Sequence, residues 1–148
     1  SVGYATLYGD MCGGYSVLKD VYKTTVFELS RWRNENKPTD SLGPNGPVMP
    51  ERIITKPPSA ELKPDQTDQD TLPDYDQLDD ILHCLIEQDM SRHDIATRGH
   101  DMAVVQNIWR MLDRAEYKRR QAPPGVKISD RAFGRDRRYP ITNAFTGQ

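Results

Sequence analysis

Eight of the eleven prolines in this chain fall between Pro38 and Pro73. Proline lacks a backbone donor and clashes with the preceding helical turn, so no helix interior or central strand runs through that region. Residues 34–50 carry Pro38, Pro44, Pro47 and Pro50 together with Gly43 and Gly46, and read as a surface loop, mobile or variable. Residues 55–73 carry Pro57, Pro58, Pro64 and Pro73 and show no apolar periodicity. Loops beyond about 12–15 residues tend to be functional or disordered, which makes this second one a candidate lid.

Regular structure is left to the flanks, and there the apolar period is helical. Leu18, Val21, Tyr22, Thr25, Val26, Leu29 and Trp32 predict a helix from about Val21 to Arg33, with Asp20 as its N-cap. Leu78, Ile81, Leu82 and Leu85 predict a second helix from Tyr75. Ser91 and Asp94 form an [ST]-x-x-[DE] start signal for a short helix, and Gly99 stops it. Asp101 caps another, whose Val104, Val105, Ile108, Trp109, Leu112 and Ala115 share one face and which ends before Pro123-Pro124-Gly125. Ile53 and Ile54 suggest a very short strand over 52–55, and Ser1 to Gly14 reads as a helix end or strand followed by a tight loop. The expected chain is mostly helical, with one or two strands at most and no internal repeat.

Composition narrows the partners. Only 36 % of the 148 residues are hydrophobic, and mean hydropathy is −0.77. That is too little apolar sequence for a self-sufficient large core, and points to long polar loops or a missing partner surface. Lys and Arg number 20 against 22 Asp and Glu, a net charge of −2, which excludes a binder acting through bulk positive charge. No apolar run approaches the roughly 18 residues of a membrane helix, and no basic-then-apolar leader opens the sequence. Cys12 and Cys84 do not make a disulfide scaffold, which suits a reducing compartment.

The charge is distributed unevenly. Residues 61–80 hold eight acidic side chains and one Lys, whereas residues 110–138 hold ten Lys/Arg and four Asp/Glu. A solvated loop and a basic helix face account for this, and so does a basic segment that meets phosphates. Lys118-Arg119-Arg120 suits a helix C-terminus, where cations are favourable, and would equally make a phosphate or carboxylate clamp. Arg135-Asp136-Arg137-Arg138 adds a second cluster. Lys23, in the first turn of its helix, faces the positive helix end, a placement that an ordinary exposed Lys tolerates and that a bound anion would relieve. Cys12-Gly13-Gly14-Tyr15-Ser16 has the composition of a phosphate-cradling turn, although a plain tight turn is preferred. Asp65, Asp68 and Asp70 lack the EF-hand spacing, and His83, His93 and His100 lack zinc-ligand spacing, so His93 and His100 are expected to be exposed polar residues. Two short helices around Gly99 allow a rival reading, a nucleic-acid-binding helical module that uses the basic 110–138 segment.

Several stretches in order resemble the C-terminal part of the synthetase domain of glutamine-dependent bacterial NAD synthetases. They are Val2 to Met11, Lys19 to Thr24, Pro50 to Leu62, Asp65 to Asp70, Leu72 to Asp76, Arg114 to Gly125 and Phe133 to Arg138, spread over most of residues 1–148. The resemblance implies an α/β parent of Rossmann-like ATP pyrophosphatase fold, of which this chain is the mostly helical C-terminal half. It implies ATP-dependent amidation of deamido-NAD to NAD through an acyl-adenylate, with ammonia, drawn from glutamine, as nitrogen donor. It implies ATP and Mg²⁺ as cofactors, a glutaminase domain or subunit, a homo-oligomer and a cytoplasmic setting, with no membrane or nucleic-acid partner. Residue by residue, Lys23 matches a lysine on the ATP phosphates, and Ser59 matches a hydroxyl residue that contacts ATP in a closing loop. Tyr4 matches an aromatic against the deamido-NAD pyridine ring, Asp10 lies in the adjoining turn, and Lys118 and Arg119 match a basic pair that reaches deamido-NAD. The family's SGG-x-DS nucleotide loop has no copy here, and the metal ligands are expected upstream of Ser1. The resemblance therefore implies a piece of a longer enzyme, inactive by itself.

Overall fold

The computed structural model describes residues 1–56 and 72–144. Among these residues every regular element is a helix: α1 (Lys23–Glu35), α2 (Glu51–Thr55), α3 (Tyr75–Ile86), α4 (Arg92–Thr97), α5 (Met102–Arg114) and α6 (Glu116–Gln121). The chain divides into two compact units, one made of Ser1–Val21 with Gln77–Gln148 and the other of Tyr22–Asp76.

In the first unit the sequence signals act as expected. The Ser91 hydroxyl accepts from the Asp94 amide at 3.1 Å and starts α4. Gly99, at φ +111°, takes the left-handed conformation that ends it. The Asp101 carboxylate accepts from the amides of Ala103 (2.6 Å) and Val104 (3.3 Å), which satisfies two orphan donors of α5. Val105, Ile108 and Leu112 follow at helical spacing and are completely buried, as are Ile81, Cys84 and Ile86 of α3 and Ile95 of α4. α4 and α5 pack together. The helix predicted to run on toward Pro123 is interrupted at Ala115, so α6 is a separate short piece. Gly3 lies against this junction at φ +76°, and a Cβ there would sit 2.6 Å from the Ala115 Cβ. Only glycine on one side and a small residue on the other permit that approach.

Three further expectations change, one in the second unit and two in the first. Ile53 and Ile54 belong to the single turn of α2, not to a strand, and the Ser1–Gly14 segment likewise contains turns and no strand. Pro50 fixes the entry backbone of α2, Glu51 complements its positive end, and Ile54 is buried while Ile53 is exposed. The β-branched pair suggested a strand because propensity outweighed position. Asp20 is not the cap of α1. That helix starts at Lys23 behind Tyr22, without a side-chain cap. Asp20 instead belongs to the first unit, where its carboxylate accepts from the amides of Ile128, Ser129 and Phe133 and from the Ser129 hydroxyl, at 2.7–2.9 Å. Burial pushes the Asp20 carboxyl up, but the donated hydrogen bonds outweigh that and hold it below its usual range.

The 34–50 loop is irregular, as its prolines dictate, and side chains at the end of α1 tie it down. The Asn34 amide oxygen accepts from Val48 and Met49 at 2.9 Å, and the Arg33 guanidinium donates to the carbonyls of Pro44 and Gly46. Ser59, the Asp65–Asp70 acidic run and most of the proposed lid lie outside the described residues.

Candidate functional site

α6 places Lys118 and Arg119 one residue apart, and each reaches back more than a hundred residues to the start of the chain. The Lys118 ammonium donates to the carbonyls of Gly3 (2.7 Å) and Ala5 (2.6 Å), the two residues that flank Tyr4. Arg119 donates from Nη1 to the Ser1 carbonyl at 2.6 Å. An ammonium has three N–H donors, so Lys118 keeps one for another acceptor. Tyr4 is half-buried beside this bridge.

Asp10 is held from within its own turn. The Thr6 amide and hydroxyl both donate to its carboxylate, at 2.9 and 3.0 Å, and the Asp10 amide donates back to Thr6 Oγ1 at 3.2 Å. The Thr6 hydrogen bonds hold its carboxyl below its ordinary value, so it stays ionised. Tyr4, Lys118 and Arg119 thus belong to one small region of the first unit, gathered by the bonds of α6 to residues 1–5, and the Lys118 charge also acts on the Asp10 carboxylate.

Arg119 itself is almost wholly buried. Its guanidinium pairs with Glu116 Oε2 at 3.0 Å and lies 5.4 Å from the Tyr139 ring centroid. Glu116, also buried, accepts from Arg120 at 2.6 Å as well. Burial raises the Glu116 carboxyl, and hydrogen bonds from Arg120, the Tyr139 backbone and Arg119 more than offset this, leaving it below its usual range. Arg119 therefore acts on this region from inside the protein, whereas Lys118 has a donor to offer outward.

Lys23 belongs to the other unit. It occupies the first position of α1, and its ammonium lies 5.4 Å from the Phe27 ring centroid and 5.8 Å from that of Tyr75.

Comparison with known proteins decides what these features belong to. The family model described as NAD synthase matches residues 1–122. The chain belongs to the NAD synthase family. It is 59 % identical over 145 residues to the glutamine-dependent NAD(+) synthetase of Acinetobacter baylyi, covering 98 % of this chain and 26 % of that protein. It is 50 % identical over 145 residues to that of Thermotoga maritima, covering 98 % of this chain and 24 % of the relative. A solved Acinetobacter baumannii glutamine-dependent NAD+ synthetase in complex with ADP is 49 % identical, with a TM-score of 0.48 over 96 % of this chain and 23 % of that one. The chain thus spans about a quarter of the length of the curated relatives it matches.

Among the described residues no group of three His, Cys, Asp or Glu side chains converges where a metal ion could sit. Asp10 is committed to Thr6, and Asp20 to four donors. These residues do not fit the magnesium ion that NAD synthetases imply, so the chemistry assigned to them is confined to cations, carbonyls and aromatic rings. Among the described residues no helix is long and apolar enough to cross a membrane.

The same geometry weakens the rival nucleic-acid reading. Lys118, Arg119 and Arg120 are engaged with protein acceptors, Lys127 pairs with Asp136 at 2.7 Å, and Arg131 pairs bidentately with Asp89. Half of the ten basic side chains of the 110–138 segment are thus tied to acceptors elsewhere in the protein, which leaves less of it as a basic stripe. The Cys12–Ser16 turn is a plain exposed turn, with Gly13 at φ +124° and open space around both glycines. His100, expected to be exposed, lies mostly buried with Nε2 2.6 Å from Asp80 Oδ2. Sequence reasoning also missed Thr6 and Glu116. Both had a local signal: a Thr four residues before an Asp, and a Glu three and four residues before two arginines.

Proposed function

We propose that this chain is the C-terminal part of the synthetase domain of a glutamine-dependent NAD synthetase, in a Rossmann-like ATP pyrophosphatase parent fold. A carboxylate is a poor electrophile, and adenylation converts it into an acyl donor with a good leaving group. The nicotinate carboxylate of deamido-NAD attacks the α-phosphorus of ATP, and pyrophosphate leaves. Ammonia, released from glutamine by a glutaminase domain or subunit, then attacks the acyl-adenylate carbonyl. Collapse of the adduct expels AMP and leaves the amide of NAD. The enzyme works as a homo-oligomer in the cytoplasm, with Mg²⁺ held by residues outside those described.

In this scheme Lys23 holds ATP phosphates, acting as a point charge on the leaving pyrophosphate, and Ser59 contacts ATP from the closing loop. Tyr4 packs on the pyridine ring and Asp10 shapes the adjoining turn. Lys118 gives its remaining N–H to deamido-NAD, and Arg119 serves the same pocket by fixing the backbone at Ser1. The Lys118 bridge supports this reading most directly, because one ammonium ties the two carbonyls around Tyr4 and keeps a donor in reserve.

A chimera tests the proposal. This chain replaces the matching 145 residues of the Acinetobacter baylyi enzyme. NAD, AMP and pyrophosphate are expected to form in equal amounts from deamido-NAD, ATP and ammonium, and this chain alone is expected to form none. Lys118→Met in the chimera should raise the deamido-NAD KM about tenfold or more, the worth of one charge-assisted hydrogen bond. A folded chimera that binds neither substrate would refute the assignment.

A further inference from the structure

We infer that Tyr75 and Phe27 are positioning residues for the ammonium of Lys23, holding it ready for the ATP phosphates; this rests on the reading of Lys23 as a phosphate ligand. Three observations carry it. The ammonium lies within cation–π range of both rings, 5.4 Å from the Phe27 centroid and 5.8 Å from that of Tyr75. The rings brace each other edge to face, with centroids 6.4 Å apart and planes at 73°. Lys23 also stands at the first position of α1, whose first turn holds no acidic residue to balance its positive end.

The helix N-terminus repels an ammonium, and among the described residues no carboxylate or carbonyl pairs with it. Without the rings, the four-carbon stem would move its charge away from the helix end and into solvent. Two electron-rich rings inclined at 73° to each other attract the charge without consuming its N–H donors in conventional hydrogen bonds. The ammonium is thus localised while its three donors remain available to phosphate oxygens. Phe27 is four residues after Lys23 on α1, so one helical turn sets one of the rings. Tyr75 opens α3 and sets the other. Holding the side chain in place removes rotamer freedom that would otherwise be lost on binding. The rings act through Lys23 and do not themselves contact the nucleotide.

The test uses the full product of the gene that encodes this chain, with α,β-methylene-ATP as the probe and calorimetric Kd as the readout. Tyr75→Leu should weaken binding about three- to tenfold, the range expected for one side chain that must be ordered on binding. Tyr75→Phe keeps the ring face and should bind within about twofold of the parent. Phe27→Leu should behave like Tyr75→Leu, and it carries the test if Tyr75→Leu does not fold. A direct signature is the Lys23 Hε resonance in the same full-length protein. It should be shifted upfield by the ring currents and move toward the free-lysine position in Tyr75→Leu. Lys23→Met separates the two levels of the argument. If Lys23→Met binds the probe as well as the parent, the phosphate role of Lys23 falls, and this inference falls with it. If Lys23→Met weakens binding but Tyr75→Leu and Phe27→Leu, both folded, do not, only the positioning role falls. A Tyr75→Phe as weak as Tyr75→Leu would also overturn it, since the hydroxyl and not the ring face would then matter.

Discussion

α1 and α5 are both thirteen residues long, and apolar residues recur at helical spacing in both, far more sharply segregated to one face in α5. In α5 that period is spent on burial: Val105, Ile108 and Leu112 are fully enclosed. In α1 no residue is fully buried, and Leu29 and Trp32 remain about half exposed, at 48 % and 49 %. The starts differ too, since Asp101 caps α5 with its carboxylate whereas Tyr22 gives α1 no side-chain cap. Periodicity therefore states that a helix forms, and a second factor decides whether its face carries stability. The first unit holds most of the enclosed side chains, while the second keeps helices whose sequence is committed to charged and aromatic groups such as Lys23, Phe27 and Tyr75.

The largest effect that would break this contrast lies at Glu116. It is a buried acid shared by buried Arg119 and half-exposed Arg120. Glu116→Ala would leave the Arg119 guanidinium enclosed without its counter-charge, at a cost of about 3–5 kcal/mol in urea unfolding. Because the folded Glu116 carboxyl lies below its ordinary value of 4.5, its contribution is complete above that pH. It fades as pH falls through the lower folded value, where the folded state must take up a proton. The parent should lose stability steeply in acid, and Glu116→Gln should flatten that limb. An unchanged acid limb in Glu116→Gln would show that other carboxylates set it.

Next in size, Ile108→Ala removes a fully buried side chain from the middle of α5 and should cost about 2–5 kcal/mol. Asp101→Ala removes only the α5 cap and should cost about 1 kcal/mol. The comparison sharpens if amide exchange at Ala103 and Val104 accelerates in Asp101→Ala by much more than that of Ile108, which should rise only as far as the loss of global stability carries it, since the cap acts locally on the first turn.

Much of this contrast was legible from the residues. Ser91, Gly99 and Asp101 announced their roles because caps act locally, through hydrogen bonds two or three residues away. Asp20 was misread for the opposite reason. Its partners Ile128, Ser129 and Phe133 lie more than a hundred residues onward, and a local rule supplied the nearest helix instead. The same distance hid the tie between Lys118 and the carbonyls of Gly3 and Ala5. Composition marked the 110–138 segment as basic, but it could not say that Lys118, Arg119, Arg120, Lys127 and Arg131 are turned onto the protein's own acceptors. Ile53-Ile54 show the remaining failure: in one turn of helix, a buried and an exposed neighbour look the same as two residues of a strand.

The smallest expected effect tests the exposed side of the comparison. Leu29→Gln replaces a half-exposed side chain by a polar one of similar length and nearly equal helix propensity. The parent Leu29 already leaves much of its surface in water, so little transfer energy is available to lose. The change in the unfolding free energy of this chain should be about 0.5 kcal/mol or less. The same change at Ile108 would bury an amide without partners and destabilise strongly. If Leu29→Gln instead costs as much as Ile108→Ala, the α1 face must be covered in solution, and the two helices would differ in what covers them and not in whether they are covered.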